Sequence, residues 1–222
     1  MKAIVLLSGG LDSTVCMSVA KDAGYEPVPI SFAYGQRHSR ELECAREVAR
    51  FYQVKKHVVI ETNMRAIGGS ALTDEIEVPK GREERSDIPI TYVPARNLIF
   101  LSYALGLAEV ENAEKIYIGV NSLDYSGYPD CRPEFIDKFQ QVADFATKAG
   151  VENRRIVVET PLQYLSKAEI IKLGMKNGAP LHLTTSCYQG GEEACGVCDS
   201  CVLRLRGFRE AGLADPIKYK NK

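Results

Sequence analysis

The sequence predicts an α/β fold built on a doubly wound, five-stranded parallel sheet, and three observations carry that prediction. Short β-branched runs alternate with stretches of helical periodicity along the chain. The first run, residues 3–7 (AIVLL), is continuously apolar rather than alternating, as expected for a strand buried on both faces. A Gly-containing turn, Ser8-Gly9-Gly10, joins that run directly to a helical pattern. Crossovers between parallel strands are right-handed in nearly all cases, so helices are expected on both faces of the sheet.

The elements follow in order. Residues 3–7 form the first strand and 13–23 the first helix, stopped by Gly24. Residues 27–32 form a second strand, and 39–52 a second helix with Leu42, Ala45, Val48 and Ala49 on one face. Residues 56–61 give the third strand, 97–111 a strongly apolar helix and 115–120 the fourth strand. Helices over 135–149 and 166–177 flank the fifth strand, 155–159. Two stretches break this rhythm. Residues 63–96 carry Gly68, Gly69, Pro79, Gly81, Pro89 and Pro94 around a charged run, too long for a plain connection, and read as a lid or an ordered functional loop. Residues 121–133 pack Asp, Tyr, Gly, Pro and Cys after a strand, at the kind of carboxyl end where ligands bind in open α/β sheets.

Composition restricts the function classes. The chain has 222 residues, 45% of them apolar, with 28 Lys and Arg against 29 Asp and Glu. A formal charge of −1 argues against a general nucleic-acid binder held by bulk phosphate attraction. No apolar run approaches the roughly 20 residues of a membrane span, and the N-terminal run is too short for a secretory signal, so no membrane partner and a cytoplasmic location are expected. The cysteine count of seven is odd and fits a reducing compartment rather than a disulfide framework. Cys16 and Cys44 fall in helical patterns and read as small buried apolar residues.

The most informative stretch is Ser8-Gly9-Gly10-Leu11-Asp12-Ser13-Thr14, between a buried strand and a helix. Unpaired N–H groups and the helix dipole favour an anion there, two glycines admit a close phosphate, and Ser8 and Ser13 offer hydroxyls. An N-cap alone would not require this combination. No lysine closes a Walker loop, and Ser13 stands where a dinucleotide fingerprint needs its third glycine. The stretch resembles the SGGxDS motif of the N-type ATP pyrophosphatases, the PP-loop family, whose fold is the adenine nucleotide α-hydrolase-like sheet. That resemblance implies ATP contacts from Leu7, Ser8, Gly9, Gly10, Leu11, Asp12, Ser13, Thr14, Val15, Cys16 and Met17, with Ser8, Asp12 and Ser13 catalytic. Val93-Pro94-Ala95-Arg96-Asn97 and Pro161-Leu162-Gln163-Tyr164-Leu165-Ser166-Lys167 are similar to two other parts of that family. They imply that Arg96 meets the nucleotide and that Lys167 acts at the phosphates. A first-turn lysine also opposes the helix dipole unless an anion binds beside it.

Cys187, Cys195, Cys198 and Cys201 read C-x7-C-x2-C-x2-C. Four thiolates with this spacing suit tetrahedral Zn²⁺ at about 2.3 Å, and a filled coordination shell makes such a metal structural. Cys201 leads into a helix in which Arg204 and Arg206 are placed to offset the thiolate charge. The ferredoxin rival places its fourth cysteine downstream and before a proline, whereas here it lies upstream and Val202 follows Cys201. The chain therefore divides into a PP-loop domain, residues 1–180, and a cysteine-rich zinc-binding segment, residues 181–222.

Residues 119–135, with Asp124, Tyr125, Tyr128, Asp130 and Cys131, complete the pattern. Together with SGGLDST, VPARN and the cysteine quartet, they closely resemble the 7-cyano-7-deazaguanine synthases of queuosine biosynthesis. The resemblance implies ATP-dependent conversion of 7-carboxy-7-deazaguanine and ammonia to the nitrile, a carbon–nitrogen ligase reaction, with Mg²⁺ accompanying ATP and a homodimeric enzyme. A guanine-like edge offers two adjacent donors that a carboxylate accepts, so Asp124 or Asp130 is expected to read the base, with Tyr125 or Tyr128 stacked on it. Turn capping is the alternative role for both aspartates. Cys131 invites a covalent thioimidate, but adenylation already supplies an activated carbon. A tRNA-modifying PP-loop enzyme, for thiolation or lysidine formation, is the rival function, and a zinc-knuckle nucleic-acid module is the third. A neutral chain without room for an RNA-binding domain disfavours the former, and the phosphate loop disfavours the latter.

Overall fold

The computed structural model of the chain describes residues 1–36, 39–76, 88–123 and 127–220. Five parallel strands, β1 (Lys2–Leu6), β2 (Glu26–Ala33), β3 (Val58–Glu61), β4 (Lys115–Tyr117) and β5 (Val157–Glu159), form one sheet in the order β3-β2-β1-β4-β5. The winding direction reverses between β1 and β4, so a crevice opens beyond their carboxyl ends.

Helices cover both faces, as expected. β1 alternates Ala3 and Val5 to one face with Ile4 and Leu6 to the other, and all four are buried. On the first face lie α1 (Leu11–Asp22), α6 (Lys167–Lys176) and α7 (Asp199–Ala211), which pack Val15, Met17, Ile170, Ile171 and Phe208 against Val5. On the second lie α3 (Arg96–Glu111) and α4 (Pro133–Ala146), with Leu101, Ala104, Phe139 and Ala143 against Ile4 and Ile116. Leu7 packs against Ala45, Val48 and Ala49 of α2 (Arg40–Phe51). Cys16 and Cys44 are buried, as read from the sequence.

Three expectations change. The helix expected over 135–149 breaks at Thr147, whose extended backbone ends α4. Its hydroxyl donates to the Ala143 carbonyl and accepts from Gly150 N–H, capping α5 (Lys148–Val151). β4 stops at Tyr117 instead of 120, because its partner β5 has only three residues to offer. Helix α7 begins at Asp199, so Cys201 lies inside its first turn rather than ahead of it. Of the stretch 63–96, the ends are tied by Ala71 N–H to the Ile90 carbonyl at 2.8 Å, while the charged run 80–85 lies outside the described residues.

Candidate active site

The phosphate loop is built by its own hydroxyls. Ser13 Oγ donates to the Gly10 carbonyl at 3.0 Å and accepts from Ser8 N–H and Ser8 Oγ, while Gly10 N–H donates to Ser8 Oγ. Ser13 is therefore buried, not displayed on an exposed turn, and it fixes the loop's shape. Gly9 sits at φ +85°, and a Cβ there would stand 2.0 Å from the Glu41 carbonyl oxygen, so no other residue fits. Thr185 N–H ties down the Gly9 carbonyl at 3.0 Å. The first intrahelical bond of α1 is Thr14 N–H to Gly10, so the amides ahead of it have no intrahelical partner, and their residues border a cavity of about 250 Å³. Leu7, Ser8, Gly10, Leu11, Asp12 and Ser13 line that cavity; Thr14, Val15, Cys16 and Met17 are fully buried behind it.

Among the described residues, three cations line the same cavity, Lys167, Arg96 and Arg204, and the last is committed to Asp215. Lys167 opens α6, whose N-terminus is closed by a capping box between Ser166 and Glu169. Its Nζ donates to both carboxylate oxygens of Asp12, at 2.8 and 2.9 Å, so the anion offsetting the dipole penalty is a carboxylate of the phosphate loop itself. The lysine stem passes over Gly207 of α7, where a Cβ would lie 2.3 Å from Lys167 Cγ. Arg96 is half-buried at the start of α3. Burial opposes its charge, but Tyr34, Tyr128, Cys131 and Asp130 hold the guanidinium above its ordinary pKa. The preceding residue, Ala95, sits at φ +54°, an uncommon conformation for a residue with a Cβ, with its N–H on the Tyr92 hydroxyl.

Tyr128 and Cys131 form part of the adjoining wall, while Asp124 and Tyr125 lie outside the described residues. Tyr128 is buried with its hydroxyl 2.8 Å from Thr91 Oγ1. Asp130, expected as a possible base reader, turns its carboxylate away from the cavity: Oδ2 accepts Asn97 N–H at 2.8 Å and so caps α3 from 33 residues away. The Asn97 side chain returns bonds to the Asp130 carbonyl and Cys131 Sγ, at 3.2 and 3.3 Å. Cys131 lines the cavity, but burial pushes its pKa up to about 12, leaving a neutral thiol poorly suited to covalent attack. Gln163 Nε2 donates to the Cys131 carbonyl, and Asn121 Nδ2 donates to the Leu162 and Leu165 carbonyls. The loop is thereby stitched to both the Arg96 and the Lys167 segments.

The four cysteines of the quartet converge, with their sulfur atoms within 4.8 Å of one another. Tetrahedral zinc with bonds of about 2.3 Å requires sulfur separations of about 3.8 Å, so a metal ion fits after small adjustments. Backbone N–H groups of Gln189 and Cys195 point at Cys187 Sγ, and those of Val197 and Cys198 at Cys195 Sγ, a donor arrangement suited to thiolates. Arg204 does not serve this charge: it is 2% exposed, and its Nε and NH2 grip the Asp215 carboxylate at 2.8 and 3.0 Å. Arg206 pairs with Glu210.

The family model described as "Queuosine biosynthesis protein QueC" matches residues 2–212. The chain belongs to the QueC family. Among QueC-like relatives, the chain is 64% identical over 222 residues to 7-cyano-7-deazaguanine synthase 2 of Desulfitobacterium hafniense (strain Y51), covering 100% of this chain and 94% of that one. It is 60% identical to the 7-cyano-7-deazaguanine synthase of Acetivibrio thermocellus, covering 100% and 99%. Among solved structures, the fold is similar to NMN synthetase from Francisella tularensis (TM-score 0.51, 16% identity, 96% of this chain and 87% of that one). It is also similar to a 4-thiouridine synthetase in an RNA complex with bound ATP (TM-score 0.53, 20% identity, 98% and 47%). These last two show the shared fold alone.

Sequence reasoning did not single out several walls of this QueC-family site: Tyr34, Glu41, Asn97, Thr185, Ser186 and Tyr188. Glu41 carried no readable signal, since an acidic residue in a first helical turn is ordinary dipole complementation. Thr185 and Ser186 flank Cys187 and reach the cavity only because the cysteine segment folds back over the phosphate loop.

Proposed function

We propose that this chain converts 7-carboxy-7-deazaguanine and ammonia to 7-cyano-7-deazaguanine with two ATP, each released as AMP and pyrophosphate. The observation that carries the reading is one cavity in which the phosphate loop, Lys167, Arg96 and residues 128 and 131 meet. The names of its relatives agree with it. A carboxylate must lose two oxygens to become a nitrile, and neither leaves readily as hydroxide. The α1 amides and Lys167 hold the phosphates of ATP while a substrate oxygen attacks the α-phosphorus and pyrophosphate departs. Ammonia displaces the first AMP to give an amide, and the amide oxygen is then adenylated and eliminated in the same way. Arg96 offsets the charge of the adenylate. The rigid wall formed by Tyr128 and Cys131 places the reacting carbon beside the loop. Base reading falls to Asp124, with Tyr125 or Tyr128 against the ring.

Mg²⁺ accompanying ATP would supply further neutralisation of the phosphate charge beside Lys167. Cys187, Cys195, Cys198 and Cys201 hold a structural Zn²⁺, and the enzyme acts as a cytoplasmic homodimer. Among the described residues, no helix is long and apolar enough to cross a membrane. Incubation with ATP, ammonium and the carboxylate, followed by mass spectrometry, should yield nitrile and AMP in a 1:2 ratio. Formation of AMP without nitrile would refute the assignment.

A further inference from the structure

Making an amide from an acyl-adenylate and ammonia releases a proton, and so does forming the nitrile. Among the described residues no histidine lines the cavity, and two carboxylates do, Asp12 and Glu41. Asp12 has both oxygens engaged by Lys167 Nζ, at 2.8 and 2.9 Å. Glu41 is different. It stands one residue into α2, whose first turn abuts the phosphate loop through the contact that forbids a side chain at Gly9. Its side chain is half-buried, and among the described residues no hydrogen bond or ion pair engages its carboxylate. Burial pushes its pKa up, while the charge of Arg96 across the cavity pulls it back. Among the described residues, the other titratable groups facing it are Tyr34 at the end of β2 and Cys44 on its own helix.

The geometry points to Glu41 as the general base that takes the nitrogen's proton in both halves of the reaction. This rests on the activity proposed above. In the first half the nitrogen lone pair forms the C–N bond. The bond from carbon to the AMP oxygen breaks with its electrons on AMP, and one N–H proton passes to Glu41 Oε. In the second half attack of the amide oxygen on the α-phosphorus gives R–C(=NH2⁺)–O–AMP, which loses one N–H proton to solvent. The neutral adenylated amide, R–C(=NH)–O–AMP, then gives its remaining N–H proton to the same oxygen. The N–H electron pair becomes the third C–N bond, and AMP leaves with the C–O pair. Between the two steps Glu41 returns its proton to solvent. A carboxylate lifted above its ordinary range by burial is better matched to this task near neutrality than an exposed one.

The test compares parent, Glu41→Gln and Glu41→Asp at saturating ATP and carboxylate, with ammonium varied and pH scanned. Single-turnover pyrophosphate release without ammonium is measured alongside. Glu41→Gln is expected to lower kcat/KM for ammonium by roughly 100-fold or more, while pyrophosphate release falls by less than about threefold. Glu41→Asp should keep an intermediate rate. With rates expressed per free ammonia, so that protonation of the nucleophile drops out, the parent's rate should fall as pH drops through a pKa above the ordinary carboxylate range, because the base must be unprotonated, and Glu41→Gln should lack that acidic limb. Parent-like turnover in Glu41→Gln, retention of the limb, or an equal loss of pyrophosphate release overturns the inference. A parent that makes AMP but no nitrile instead overturns the proposed activity, and the inference with it.

Discussion

Removing the Asp130 carboxylate tests how the cavity is assembled. Helix α3 has an alanine at its N-cap, which offers no side-chain acceptor, and the Asp130 carboxylate supplies one to Asn97 N–H at 2.8 Å. Asn97 is 9% exposed and Asp130 5%, so water has little access to replace the lost acceptor. A lost cap costs about 1–2 kcal/mol and an orphaned buried N–H about 1–3. Both figures describe the same hydrogen bond, so Asp130→Ala should destabilise the fold by about 2–3 kcal/mol. At roughly 2–4 °C per kcal/mol for a chain of this size, Tm should fall by about 4–12 °C. Asp130→Asn keeps an oxygen acceptor and should lose about half as much. Arg96 directly precedes Asn97, so Asp130→Ala should also raise the KM for ATP by about tenfold. Differential scanning fluorimetry and steady-state kinetics measure both effects. If Asp130→Asn leaves Tm and the ATP KM untouched but raises the KM for the deazaguanine carboxylate at least tenfold, Asp130 reads the base and the capping argument is wrong.

Other perturbations separate the remaining parts. Asp124→Asn should raise the KM for the carboxylate by about tenfold, equivalent to the roughly 1–3 kcal/mol of a hydrogen bond in a desolvated site, while the KM for ATP hardly changes. Gly207→Ala introduces a Cβ 2.3 Å from Lys167 Cγ, and should cut the rate of pyrophosphate release by pushing Nζ off Asp12, although residue 207 has no polar group in the site. An unchanged single-turnover rate would show that the lysine stem has room to move. Elemental analysis should find one zinc per chain in a colourless protein, and Cys198→Ser should chiefly lower Tm, because metal-ligand free energy is folding free energy. Stoichiometric iron with absorbance near about 400 nm would point to a cluster instead.

The readable parts of this chain are those whose signal is local. Residues 3–7 are apolar on both faces because β1 lies at the centre of the sheet, and Gly9 is required by the close approach of the α2 backbone. The cysteine spacing is likewise a short-range constraint, and the four sulfurs do converge. What escaped was set by partners far along the chain. Asp130 looks like a loop carboxylate until α3 is seen to lack a cap of its own. Arg204 looks like a counter-charge to thiolates until Asp215 takes its guanidinium. Thr147 ends α4 within an otherwise helical pattern, because its hydroxyl competes for backbone groups in both directions.

The position of β1 has a consequence for how the chain is made. The middle strand of the sheet precedes both of its partners in the chain, pairing with residues 26–30 on one side and residues 115–117 on the other. The chain must be synthesised as far as residues 115–117 before the second edge of β1 is covered, and until then that apolar edge is open to wrong partners. The loop at its end waits longer still. The Gly9 carbonyl finds its donor only when Thr185 has emerged, and the channel for the Lys167 stem closes only with Gly207. A nascent chain of this protein can therefore hold the Ser8–Thr14 motif long before the loop reaches its final shape, which waits for residues 185 and 207.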